Sequence, residues 1–293
     1  MSTPRTVIVI GAGICGLSAA IWLNRAGHRV TLLDRDRPGA GASFGNAGLL
    51  AQWAIVPVNT PGLLKTALRY LPDPNAPLWL RWRDLPRLAP WLWQFLRNAN
   101  PRDAARMIEG LIPIVSDAVD QHRALVRGTV AEKWLATSDL AYAYDNRAAF
   151  EADAYGWDAK RRAGFVPEVI EGDAVREAEP LLGPAIGCLA MLRAQGHVLD
   201  PGAYMADLAE VLRAEGGTYR RAEVRDITLT GGRVTAVETD GGPLPCDAAV
   251  LTAGIWSRPL MRKLGLKVPL EAERGYHLHL VGPSRMPRQP LMM

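Results

Sequence analysis

Three glycines, Gly11, Gly13 and Gly16, spaced as Gly11-Ala12-Gly13-Ile14-Cys15-Gly16, are the residues of this chain most directly suited to chemistry on a ligand. That spacing can cradle a diphosphate. Gly11 permits a tight turn, Gly13 lets the backbone approach a pyrophosphate, and Gly16 lets a following helix pack closely on a strand. Asp34 stands eighteen residues beyond Gly16, where a carboxylate can accept hydrogen bonds from adenosine ribose hydroxyls, and Arg35 follows it. A second small-residue run, Gly39-Ala40-Gly41-Ala42-Ser43-Phe44-Gly45-Asn46-Ala47-Gly48-Leu49, suits backbone lying against a flat ligand. In it Ser43 can hydrogen-bond a phosphate and Asn46 a ring edge. The alternative, a flexible surface loop, fits poorly with its continuation into the apolar Leu49-Leu50-Ala51-Gln52-Trp53-Ala54-Ile55-Val56.

The elements that must position these groups are legible around them. Val7 to Ile10 reads as a buried strand, helical spacing runs through Leu17, Ala20 and Ile21, and Gly27 closes the helix. A second strand, Arg29 to Leu33, ends on Asp34. The helix N-terminus then faces the diphosphate with free N–H groups and its positive dipole end. The apolar run Val7 to Leu23 could pass for a signal peptide or membrane anchor, but it carries three glycines and is shorter than the ~20 residues a span needs. More than two hundred residues later, Cys246 to Leu251 reads as another buried strand, ending in Thr252-Ala253-Gly254-Ile255-Trp256-Ser257. A second glycine turn is thereby brought to the same ligand.

The 293 residues suffice for one large or two ordinary domains, and the formal charge of +4 comes from basic residues interleaved with acids. That pattern argues against nucleic acid as a partner. Cys15, Cys188 and Cys246 are odd in number and far apart, which argues for a reducing compartment and against a disulfide frame or a zinc site; no metal ligands are assigned. Cys15 reads as a small packing residue.

Between the two glycine turns the chain changes character. Residues 57 to 100 are rich in proline and tryptophan, and Pro86 and Pro90 are expected to break them into short pieces. Tryptophan with interleaved arginine, as in Trp79, Arg81, Trp82 and Arg83, fits an insertion folding over the core or an interfacial membrane segment. Residues 101 to 128 read as one longer amphipathic helix with Pro113 at a kink or boundary and His122 as a packed or surface residue. Then come a strand at Ser138 to Tyr144, a helix at Arg147 to Ala163, a strand at Val166 to Gly172 and a capped turn stopped by Pro180. Asp200 and Pro201 form the N-cap and first residue of a helix that runs to Glu215, and Thr230-Gly231-Gly232 turns a hairpin.

Together these segments resemble the flavin-dependent amine and amino-acid oxidoreductases that include D-amino-acid oxidase, glycine oxidase and sarcosine oxidase, and most of all the bacterial D-amino-acid dehydrogenase small-subunit type. The carrying stretches are VIVIGAGICGLSAAIWLNRAGHRVTLLDRD, GASFGNAGLL, VLDPGAYMADLAEVLRAEGG, AVLTAGIWS and ERGYHLHL. The resemblance implies an α/β fold: a discontinuous Rossmann-like FAD-binding domain, 1–56 and 196–262, with an inserted α+β substrate domain, 57–195 and 263–293. It implies FAD held at Gly11, Gly13, Ile14, Cys15, Gly16, Asp34 and Arg35. Ser43, Asn46, Ala47, Gly48 and Leu49 would run along the pyrophosphate and flavin edge, Val224 would meet the adenine, and Ala253, Gly254 and Trp256 would lie near the ribityl and adenosine parts.

The implied chemistry is hydride transfer from the Cα of a D-amino acid, or of a cyclic imino acid such as D-hydroxyproline, to flavin N5, giving an imine and then a 2-oxo acid. No side-chain base is assigned, since none is required if the amine binds neutral. Arg274, Tyr276 and His277, placed on a strand, are the expected substrate-carboxylate contacts. Electrons would pass to a quinone of the respiratory chain or to oxygen. The expected location is the cytoplasm, with peripheral contact at the inner face of the membrane. The chain stops at Leu291-Met292-Met293 in a strand-like stretch where relatives continue, so a C-terminally truncated form is expected. A sarcosine- or glycine-oxidase-like amine oxidase and an inactive nucleotide-binding fragment are the alternatives. A nicotinamide dehydrogenase ranks below both, because no third βα repeat follows Asp34.

Overall fold

The computed structural model describes residues 3–63, 82–272 and 275–293. Strand β1 (Thr6–Ile10) leads into α1 (Ile14–Arg25) and β2 (Arg29–Asp34), followed by the short β3 (Leu49–Leu50). Helices α2 (Leu85–Arg97), α3 (Pro101–Val115) and α4 (Ala118–Val126) precede β4 (Leu135–Tyr144). Next come α5 (Arg147–Ala152), α6 (Ala154–Arg162), β5 (Glu168–Glu171), α7 (Ala174–Ala178) and β6 (Cys188–Val198). The chain continues with α8 (Pro201–Ala214), β7 (Thr218–Arg221), β8 (Val224–Thr230), β9 (Arg233–Thr239), β10 (Gly242–Pro245) and β11 (Ala248–Leu251). Helix α9 (Ser257–Lys263) and β12 (Leu291–Met292) complete it.

The chain divides into two compact units. The first comprises Met1–Leu49, Asp120–Ala136 and His197–Leu280. Its main sheet has the order β11-β1-β2-β7, with every pairing parallel. The third parallel strand, beside β2, is therefore β7, reached through α8 nearly two hundred residues after Asp34, so no third repeat is readable there. Helix α1 buries Gly16, Leu17, Ala20 and Ile21. Asp200 caps α8 by accepting from the Ala203 N–H at 2.9 Å, with Pro201 in the first turn as its type predicts. An antiparallel sheet, β10-β9-β8, turns at Gly231 and Gly232, both at positive φ. Ile8, Ile10 and Leu33 share one core with Ile227, Val237, Cys246 and Leu260. Strand β11 itself is only half-buried.

Residues 120–136 and 263–280 fall in this first unit, whereas the sequence division assigns them to the substrate lobe; conversely, 50–56 and Gly196, expected in the FAD-binding domain, fall in the second unit. Side-chain bonds explain the first of these. Arg25 Nη1 donates to Leu125 O at 2.8 Å, Trp134 Nε1 to Asp207 at 2.7 Å, and His122 Nδ1 lies 2.8 Å from Tyr204 Oη. Burial lowers the His122 pKa, consistent with a packed imidazole.

The second unit comprises Leu50–Val119, Thr137–Gly196 and Val281–Met293, around a mixed sheet ordered β12-β4-β6-β3 with β5 antiparallel to β6. Several expectations are corrected here. Pro86 and Pro90 do not fragment α2: Pro86 sits in the first turn, where its missing N–H has no intrahelical partner, and Pro90 costs a single bond. Residues 101 to 128 form two helices, the first ending two residues past Pro113. The Arg147–Ala163 segment breaks at Asp153, which leaves helical geometry and turns its carboxylate to the Tyr144 hydroxyl at 2.9 Å. The eleven-residue β6 was not anticipated. Trp79 and Arg81 lie outside the described residues.

Candidate functional site

The site is built where β11, β1 and β2 end. Ile10 pairs with Leu251 on one side and Leu33 on the other, and Gly11 leaves the sheet at φ +106. A methyl group on Gly11 would lie 2.7 Å from Ala253 Cα, and one on Gly16 would lie 1.7 Å from Gly11 O. Neither position admits a side chain, so the turn can pack against β11 and α1 at once. Thr252 seals this junction: its hydroxyl donates to Ile10 O at 2.9 Å and Gly11 O at 3.0 Å.

Asp34 ends β2 with both oxygens engaged. Oδ2 accepts from the Ala12 N–H at 2.7 Å and Oδ1 from the Asp36 N–H at 2.9 Å. The carboxylate is thus fixed beside the glycine turn with lone pairs to spare. Strand β7 props the segment that follows, since the Tyr219 hydroxyl donates to Asp36 O at 2.6 Å and Arg221 Nε to Arg35 O at 2.8 Å. Burial and then the Asp34 charge push the Tyr219 hydroxyl above its ordinary pKa.

The second small-residue run folds back on the turn. Gly39 N–H donates to Ala12 O at 2.8 Å, and Ser43 Oγ accepts from the Ile14 N–H at 3.0 Å, capping the start of α1. A methyl group on Gly13 would come 3.2 Å from that Ser43 oxygen. Asn46 spends its amide inside the loop, donating to Ser43 O and accepting from the Gly48 N–H at 2.8 Å. Gly48, at φ +70, pairs its carbonyl with the Val198 N–H at 2.7 Å. Ala47 is exposed, and Leu49 is half-buried at the start of β3.

The remaining residues distribute unevenly. Ala253 and Gly254 stand beside the turn, and Trp256 is exposed with the Arg35 guanidinium over its ring at 4.1 Å. Val224 opens β8 and packs on the first unit's core. Cys15 is exposed on the first turn of α1 rather than packed. Arg274 lies outside the described residues. Tyr276 and His277 are not on a strand: residues 275–280 pair with no neighbour among the described residues, so their backbone has no ladder to hold it extended, and Tyr276 is 89% exposed. The His277 ring lies against Gly45 instead, where a methyl group would meet it at 2.5 Å. Sequence reasoning missed Thr252, Tyr219 and Arg221. Of these only Thr252 carried a signal, as the polar residue ending a buried strand before a glycine turn.

The family described as FAD dependent oxidoreductase matches residues 6–292. A D-amino-acid oxidase of Bradyrhizobium diazoefficiens is 36% identical over 295 residues, covering 100% of this chain and 70% of the relative. A D-amino acid dehydrogenase of Sinorhizobium medicae is 30% identical, covering 98% of this chain and 70% of the relative. Glycine oxidase from Bacillus cereus superposes with a TM-score of 0.58 at 23% identity, over 88% of this chain and 58% of that one. Glycine oxidase from Geobacillus kaustophilus gives 0.60 at 20%, over 91% and 60%. The chain thus spans less than two thirds of these solved proteins, whose likeness speaks to the fold.

Proposed function

Because this chain belongs to the family of FAD-dependent oxidoreductases, we propose that its first unit binds FAD and that the whole protein oxidises an amino acid. The observation that carries the reading is the glycine turn at the carboxyl ends of β11, β1 and β2, where Gly11 and Gly16 leave no room for a side chain. The crevice outside the carboxyl ends of parallel strands is where such folds bind dinucleotides. Here the polar groups fit one: the first-turn N–H groups of α1 and the Ser43 hydroxyl as donors, and the fixed Asp34 carboxylate as an acceptor for ribose hydroxyls.

In this reading Gly11, Gly13, Ile14, Cys15 and Gly16 hold the pyrophosphate, and Asp34 holds the ribose. Ser43 accepts from Ile14 and keeps its O–H to donate to a phosphate oxygen. Asn46 stiffens the loop from Ala47 to Leu49, which would run along the flavin edge. Val224 offers its backbone to the adenine. When bound, FAD supplies the hydride acceptor, and the chain supplies position and electrostatics. The substrate is a D-amino acid or a cyclic imino acid, with Arg274, Tyr276 and His277 as its carboxylate contacts, and the product is an imine that hydrolyses to a 2-oxo acid.

The electron acceptor is a respiratory quinone or oxygen. Among the described residues no helix is long and apolar enough to cross a membrane. Peripheral contact at the cytoplasmic face is proposed instead for α2 and the turn before it, where Trp82 and Trp93 are 64% and 70% exposed among Arg83, Arg87 and Arg97. A sarcosine- or glycine-oxidase-like activity is the second reading, favoured by the likeness in fold to the glycine oxidases.

Dye reduction with a panel of D-amino acids, D-proline derivatives and sarcosine, with and without oxygen, tests the proposal. Reduction with D-amino acids or D-prolines that does not need oxygen supports the dehydrogenase. Oxygen-dependent turnover of sarcosine or glycine supports the second reading, and reduction by none of them would overturn both.

A further inference from the structure

The glycines of the loop from Gly39 to Gly48 are not alike. Gly39, at φ +75, and Gly48, at φ +70, adopt backbone that strains a side chain. Gly45 does not lie at positive φ. A neighbour keeps it bare instead. A methyl group on Gly45 would meet His277 Cε1 at 2.5 Å, Nδ1 at 3.0 Å and Nε2 at 3.3 Å. Its nearest neighbours are thus all atoms of one imidazole, whose nitrogen-bearing edge points at the glycine. Gly41, in the same loop, has nothing within 4 Å of such a methyl group.

The contact joins two stretches of the first unit that differ in how firmly they are held. The loop is a fixed seat. Ser43 accepts from the Ile14 N–H at 3.0 Å, and Asn46 bonds to Ser43 O and to the Gly48 N–H. Residues 275–280, in contrast, pair with no neighbour among the described residues, and Tyr276 is 89% exposed. Such a stretch takes its course from the points where it is fastened. One lies upstream, where Arg258 Nη1, in the first turn of α9, donates to Glu271 Oε1 at 2.9 Å. The other is the His277 ring on Gly45. The Tyr276 side chain has almost no packing of its own, so the seat of the next residue holds its backbone in place.

We propose that Gly45 is a positioning residue for the substrate: its bare backbone seats the His277 ring and so places Tyr276 and His277 for the substrate carboxylate. The inference rests on the reading of Tyr276 and His277 as carboxylate contacts. Hydrogen bonds to a carboxylate need their donors in place, so a ring displaced by about 1 Å loses much of the contact. One methyl group is enough to displace it. Because Gly45 lies outside the left-handed region, alanine fits its backbone and the strain falls on the imidazole.

Two measurements test the proposal: steady-state dye reduction with D-amino acids, and calorimetry with propionate, which offers a carboxylate but no oxidisable amine. Gly45→Ala should raise KM about 5- to 10-fold with kcat within about twofold of wild type, and weaken propionate binding by the same factor. ADP affinity should not change. His277→Ala should show a loss at least as large, and Gly45→Ala should add nothing to it in the double variant. Wild-type KM and propionate affinity in Gly45→Ala would overturn the proposal. So would additive losses in the double variant, or ADP affinity falling in step with propionate, since either assigns the effect to the loop and not to the ring. A wild-type protein that reduces dye with no amino acid and binds no propionate would overturn the substrate reading itself. Turnover and propionate binding that are equal in wild type and all three variants overturn the seat alone.

Discussion

In the first unit, the carboxyl edge of the parallel sheet keeps its chemistry open. Glycines replace side chains, Asp34 carries spare lone pairs, and Trp256 and Arg35 face solvent. In the second unit, a group of residues richer in polar side chains closes on itself. Lys160 is 7% exposed, with its Nζ 4.4 Å from the Tyr142 ring and 4.3 Å from the Trp157 ring. Trp157 Nε1 donates to Tyr144 Oη at 2.8 Å, and that hydroxyl donates to Asp153 at 2.9 Å. Burial lowers the Lys160 pKa against the pull of Asp153. Perturbed groups alone would have pointed to this cluster as the active centre. The contrast teaches that a binding edge is recognised by what it leaves unmade, whereas a satisfied buried network contributes stability.

That contrast can be broken at either end. The largest effect is expected from Trp157→Ala, which empties a fully buried site: denaturant unfolding should show a loss of about 3–5 kcal/mol, with ADP affinity unchanged. Reduced ADP affinity in that variant would mean the cluster serves the nucleotide site. Gly11→Ala should do the converse. Its methyl group must displace Ala253, so ADP affinity, followed by calorimetry, should fall by about 100-fold or more, equivalent to at least about 2.7 kcal/mol, while the near-ultraviolet signal of the second unit persists.

A smaller change, about 1 kcal/mol of stability without loss of ADP binding, is expected for Asp200→Ala, which removes only the cap of α8. The smallest effect is confined to alkaline pH. Burial pushes the Tyr142 pKa up to about 12. A pKa raised on folding contributes stability that is complete below the unfolded value near 10 and lost as pH rises through about 12. Thermal unfolding of Tyr142→Phe should therefore fall less steeply than wild type between pH 10 and 12, with phenolate absorbance reporting one late-titrating tyrosine fewer.

How much of this was legible in the sequence follows from how local each feature is. The glycine turn, the acid ending β2, the Asp200 cap and the Gly231-Gly232 hairpin depend on residues a few positions apart, and all four read correctly. Strand β7 is four residues long and gains its meaning from pairing with β2, almost two hundred residues earlier. Strand β6 mixes buried and exposed positions irregularly and passes through Ala194 at φ +54, so it shows no clean alternation. The Lys160 cluster needs α5, α6 and β4 packed together before its bonds exist. The type of Asn46 allows a ligand contact, whereas its amide bonds to Ser43 and Gly48 exist only once the loop is folded. Tyr276 to His279 alternates like a strand, yet pairing, not pattern, makes a strand.

The most direct test of the account is equilibrium binding of FAD and NAD to the purified protein, with ADP as competitor. The account predicts yellow protein carrying flavin absorbance, FAD bound in preference to NAD, and displacement by ADP that is weakened in Gly11→Ala. A colourless protein that binds NAD in preference to FAD, or neither, would contradict it.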